Sequence, residues 1–148
     1  MVSDLQLSGY VKVKHWRKGT LLYAHEGKNT VTEDAFEQIA QILSGGAVVL
    51  PSHIAVGNDG ALPNPSQTVL SKEETSISRA VIVKTLLGRQ VTYTVVITAS
   101  APFIVRECGI FDAATAGIMW ARFLTGQISF IADDSLDIEW ELTVGNIV

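Results

Sequence analysis

Three carboxylates alternate near the end of the chain, Asp137, Glu139 and Glu141, and a further pair, Asp133 and Asp134, sits just before them. Alternate residues of one strand point the same way and lie roughly 6–7 Å apart. That spacing is tolerable for the acid and the base or nucleophile of glycoside hydrolysis. Such chemistry also needs a cleft between the two groups, and the sequence offers no sign of one. The acidic face has two blander readings: it is solvated, or it is matched to a basic surface on a neighbour. Calcium suits oxygen ligands in loops such as Asn58-Asp59 or Asp133-Asp134, but no loop shows the periodic ligand spacing that a calcium site requires.

The remaining reactive residues are isolated. His15, His25 and His53 are singletons and the one cysteine, Cys108, is remote from them, so no zinc-ligand spacing is present. Cys108 lies inside an apolar strand beside Glu107, where a thiolate is disfavoured, and reads as a buried, inert thiol. No serine stands in a glycine-flanked elbow. Gly57-Asn-Asp-Gly60 lacks the spacing of a phosphate-binding loop, and no helical pattern follows it. These patterns imply no cofactor and no metal.

The elements that hold these residues are mostly strands. Leu5, Leu7, Val11 and Val13 alternate with polar residues, Arg17-Lys18-Gly19-Thr20 reads as a turn, and Leu21–Glu26 returns, which together predict an N-terminal hairpin. Thr30-Val-Thr-Glu33 has the form of a capping box, with Thr30 as the cap. Phe36, Ile39, Ala40 and Leu43 follow at helical spacing, and Gly45-Gly46 ends the run. This predicts one amphipathic helix over 33–44, packed on a sheet by that apolar face. His53–Val56 is a short strand and the Gly57–Pro65 stretch a loop. Ser66–Thr75 is ambiguous and reads as an extended connection. Further strands are expected over Ile77–Leu86, Val91–Thr98, Phe103–Phe111, Ile118–Leu124 and Leu136–Val144. About eight closely spaced strands and one helix predict a mainly β fold, an antiparallel β-sandwich or jelly-roll-like barrel.

Composition narrows the class further. The chain has 148 residues, of which 47% are hydrophobic, enough for one well-cored domain. The net charge is -4, whereas nucleic-acid binding favours a basic excess. The basic cluster Lys12, Lys14, His15, Arg17 and Lys18 reads as a solvated hairpin face. A single cysteine forbids an intrachain disulfide. Neither a secretory signal nor an apolar run long enough for a membrane helix is seen, so no nucleic-acid or membrane partner is expected.

The segment Phe103-Ile-Val-Arg-Glu-Cys-Gly-Ile-Phe-Asp112, with the small-residue turn that follows, resembles an element of bacteriophage tail-collar and tail-fibre attachment domains. There the pattern reads roughly Arg-Glu-aliphatic/Cys-Gly-aliphatic-Phe-Asp before a glycine-bearing turn. Asn29-Thr30-Val31 resembles that family's entry to its helix. Pro51-Ser-His-Ile-Ala-Val-Gly-Asn-Asp-Gly60 resembles its strand and loop, and Gln67-Thr-Val-Leu70 its run into a charged segment. The likeness covers roughly residues 29–123 in order. The chain departs from the family in its N-terminal hairpin, and no shaft or receptor-binding tip is expected within these residues. The resemblance thus divides a single domain, 1–148, into a hairpin over 1–28 and a tail-collar-like sandwich over 29–148.

The resemblance implies a non-catalytic structural subunit of a virion, assembled in the host cytoplasm: a tail or baseplate accessory, or a tail-fibre attachment protein. It would act as a homo-oligomer, trimer or hexamer, alongside other tail or capsid proteins. A capsid decoration (cement) protein has the same size and all-β character. A carbohydrate-binding module is the rival from another class, although aromatic residues make up only 7%. The expected interface residues are Trp16, Arg17, Lys18, Arg106, Glu107, Glu139 and Glu141. Tryptophan is enriched at interface hot spots, so Trp16 is read as an interface anchor and Trp140 as core. The basic hairpin and the acidic last strand are expected to pair between subunits.

Overall fold

The computed structural model describes residues 6–145; Leu5, expected in the first strand, lies outside them. The alternation noted in sequence becomes two five-stranded antiparallel sheets. One contains β1 (Leu7–Arg17), β2 (Thr20–Lys28), β6 (Val83–Leu87), β7 (Gln90–Thr98) and β10 (Ser135–Val144), in the order β2-β1-β10-β7-β6. The other contains β3 (Thr30–Val31), β4 (His53–Gly57), β5 (Ala80–Val81), β8 (Phe103–Phe111) and β9 (Met119–Phe130), in the order β3-β9-β8-β4-β5. The fold is a β-sandwich with one helix, α1 (Glu33–Leu43).

Strand period two puts every second side chain between the sheets. Val11 and Val13 of β1, Leu136, Ile138 and Trp140 of β10, and Val95 and Ile97 of β7 meet Ile54, Val56, Cys108, Ile110, Phe123 and Ile128 from the facing sheet. Trp140 is fully buried, as its clean alternation predicts.

The N-terminal hairpin is not an appendage to a sandwich formed by residues 29–148. β1 pairs with β10 along Leu7–Trp16 and lies inside its sheet. The physical reason is that β10 has an apolar face, Leu136, Ile138, Trp140 and Leu142, and β1 buries Val11 and Val13 beside it, and joint burial removes both from water. The strand expected over Ile77–Leu86 is divided: the chain leaves one sheet after Val81, turns inward at Ile82 and enters the other at Val83.

Two details of the helix differ from expectation. Its cap is Thr32, not Thr30: the Thr32 hydroxyl accepts from the Ala35 amide at 3.1 Å and donates to the Met119 carbonyl at 2.6 Å. Thr30 is held in β3 opposite Arg122 and cannot serve as the cap. The helix is also rotated from its expected face. Ala35 and Gln38 are buried and Ile39 packs against the core as expected, while Phe36, Ala40 and Leu43 look outward. α1 lies over the end of β9, where a small Ala35 permits close approach and Phe36 does not fit beneath.

Candidate interaction surfaces

The Arg106-Glu107 pair lies where β8 departs from regular pairing, with a register shift between Val105 and Glu107. A bulge breaks the up-down alternation, and both side chains meet the same loop. Glu107 lies beside Gly57 and Arg106 beside Gly60, with its guanidinium donating to Asn58 Oδ1 and, at 3.0 Å, to Gln127 Oε1. Glu107 is fully buried, and Arg122 Nε donates to its Oε2 at 2.6 Å. Burial pushes the Glu107 carboxyl above its usual range, and the Arg122 hydrogen bond and charge pull it back. Glu107 therefore has no exposed surface within its own chain to offer a neighbour. A charge at this depth needs a partner, and the chain supplies its own.

Arg122 also fastens a strap. Its other nitrogens donate to the carbonyls of Ala61 at 2.8 Å and Asp59 at 3.0 Å. A second arginine, Arg79, holds the far end. It grips Glu73 through two hydrogen bonds of 2.9 and 2.7 Å, donates to the carbonyls of Ala113 and Ala116, and lies over the Phe111 ring. Between them Leu70 packs with Ala55, Phe111 and Met119. Residues 58–79 thus cover the outer face of the second sheet, which explains how a long connection without regular strands stays ordered.

The basic hairpin is likewise tied to its own chain. Asp134, almost fully buried, accepts from Arg17 Nε and Nη2, both at 2.9 Å, from the Ile131 amide at 3.1 Å, and pairs with His15 Nε2 at 2.8 Å. The Arg17 guanidinium, with His15 and the Ile131 amide, holds the Asp134 carboxyl well below the usual carboxylate range, and the Arg17 pKa rises in return. Trp16 is half-buried, and its indole N–H donates to Asp137 Oδ2 at 3.0 Å. Lys18, in the turn at φ 50°, is exposed, as is Lys14.

Glu139 and Glu141 lie half-buried on the outer face of the first sheet. There Lys12 stands opposite Glu139, Lys14 opposite Asp137 and Tyr10 opposite Glu141. The expected match between the basic hairpin and the acidic last strand therefore has a place within one sheet of one chain. Opposite charges on directly facing strand residues are mildly stabilising there.

Cys108 is fully buried and its thiol pKa is raised, chiefly by desolvation. Among the described residues no group of three His, Cys, Asp or Glu side chains converges as a metal site, and no helix is long and apolar enough to cross a membrane.

Two apolar surfaces stand out instead, and sequence reasoning assigned neither to an interface. One is the β6–β7 hairpin, where Val83, Leu86 and Leu87 are 65–78% exposed. The other is α1 and the coil after it, where Phe36, Leu43, Val49 and Leu50 are 47–77% exposed. The available signal was the helical stripe itself, read as inward-facing. Comparison with known proteins yields no match: no family model, no curated protein and no solved structure.

Proposed function

We propose that the chain is a non-catalytic structural subunit of a bacteriophage virion, a tail or baseplate accessory or tail-fibre attachment protein that works through symmetric contacts between copies. The observation that carries this reading is where the resembling segments meet. The 51–60 and 103–112 segments, some fifty residues apart in the chain, form adjacent paired strands, with Ala55 opposite Gly109 and Gly57 opposite Glu107. Their distinctive residues, Gly57, Asn58, Arg106 and Glu107, build one loop-fastening unit. An ordered set of short matches that converges in space has more weight than the same matches scattered over a fold.

The surface is in keeping with an assembly role. Phe36 is the one strongly exposed aromatic ring among the described residues, a poor platform for sugar stacking. The exposed aliphatic groups on α1 and β6 are the kind of surface that neighbouring subunits cover. Antibody raised against the chain and applied to particles from a lysate of the strain bearing its gene tests the assignment. Tail-proximal label is expected. Label over the shell would make the chain a cement protein, and particles without label would refute a virion role.

A further inference from the structure

The two exposed apolar surfaces lie on opposite sides of the sandwich. α1 packs on β9, at the side where β1 and β2 face β3 and β9. The β6–β7 hairpin closes the other side, where β7 faces β5. Their charges are opposite too. α1 has Glu33, Asp34 and Glu37, and residues 31–52 contain no lysine or arginine. The hairpin has Lys84 and Arg89, both exposed, and residues 75–106 contain no aspartate or glutamate. On α1, successive residues advance by 100°, so Glu33 and Glu37 both lie along one side of the outward stripe of Phe36, Ala40 and Leu43.

The hairpin is shaped to enter something. Val83 shares the outer face with its partner Thr94, whereas Leu86, opposite Val91, is on the inner face, yet both are exposed. A strand with aliphatic side chains bare on both faces has no use for them within its own chain. It is also an edge, with a row of backbone groups open to a partner. The opposite edge, β2, is blunted by His25, Glu26 and Lys28, and β3 and β5 are two residues long.

We propose that the β6–β7 hairpin of one copy docks on α1 and the 44–50 coil of the next, with Lys84 and Arg89 meeting Glu33 and Glu37 along one side of an aliphatic centre. This rests on the reading of the chain as a self-assembling subunit and names the contact that assembles it. The two surfaces differ, so the contact is head-to-tail, and its repetition closes a ring or extends a filament. It replaces the pairing of basic hairpin and acidic last strand as the contact between copies.

The test uses the full chain with two exposed positions altered, Leu87→Glu on the hairpin and Leu43→Glu on the helix. Light scattering of wild type is expected to give a multiple of the 16.0 kDa chain mass. Each variant alone is expected to fall to one chain, with an unchanged far-ultraviolet spectrum. Mixed in equal amounts they retain one intact hairpin and one intact helix, and the expected product is a dimer and nothing larger. Variants that keep the wild-type mass would overturn this contact and leave the self-assembly reading standing. Monomeric variants that do not recombine would overturn the head-to-tail arrangement. A wild type monomeric at every concentration would overturn both.

Discussion

Arg122 and Glu107 form an ion pair 2.6 Å long with neither side chain more than 1% exposed, and the same guanidinium holds the backbone of Asp59 and Ala61. One residue thus joins the second sheet to the strap that covers it. Removing one member of a buried pair leaves the other charge uncompensated, at a cost of about 3–5 kcal/mol. Arg122→Met is expected to lose that much in urea unfolding and to open the 58–67 segment to protease. The double variant with Glu107→Leu is expected to recover part of the stability but not the protection, because the Asp59 and Ala61 carbonyls still lack their donor.

Asp134 governs the acid limb of stability. Its carboxyl titrates lower in the fold than in the unfolded chain, where the usual value is about 3.9. A depressed carboxylate contributes fully above its unfolded pKa, and the contribution is lost as pH falls toward the folded one. Wild type is therefore expected to lose stability steeply below about pH 4. Asp134→Asn is expected to be less stable at neutral pH and flatter in acid, as read from thermal midpoints across a pH series.

Trp140 is the largest fully buried side chain, at the centre of β10 with Phe123 edge-on across the sheets. Trp140→Ala is expected to cost about 3–5 kcal/mol, the usual range for truncating a core aromatic. Denaturant titration checks this. A loss below about 1 kcal/mol would mean that the core does not close around this ring.

Gly117 closes the turn between β8 and β9 at φ 73°, where an added Cβ would meet Asp112 Oδ1 and Ala113. Asp112 Oδ1 accepts from the Ile118 amide at 2.8 Å in the same turn. Gly117→Ala is expected to destabilise by more than about 1 kcal/mol, since alanine is strained at positive φ. Equilibrium unfolding gives the sign, and an unchanged or raised midpoint would contradict it.

What was legible in the sequence was whatever depends on period. The alternation of β7 and β10, the helix over 33–43 and the buried Trp140 all follow from side-chain spacing. The misread positions are those where tertiary partners decide. Thr30 and Thr32 are both plausible caps, and only the pairing of Thr30 with Arg122 selects Thr32. The helical stripe of Phe36, Ile39, Ala40 and Leu43 marks an apolar face without saying which part of it the sheet covers, and only Ile39 meets the core. The clamps were not legible at all, because Arg122 reaches carbonyls 61 and 63 residues away and Asp134 reaches Arg17 across 117. No local pattern records such a contact.

The most direct test of the central claim is the solution mass of the purified chain by light scattering, over a range of concentration at low and high salt. Self-assembly through surfaces of opposite charge and exposed aliphatic groups predicts a trimer or hexamer of the 16.0 kDa chain, weakened but not abolished by salt. A mass of 16.0 kDa under every condition would contradict it.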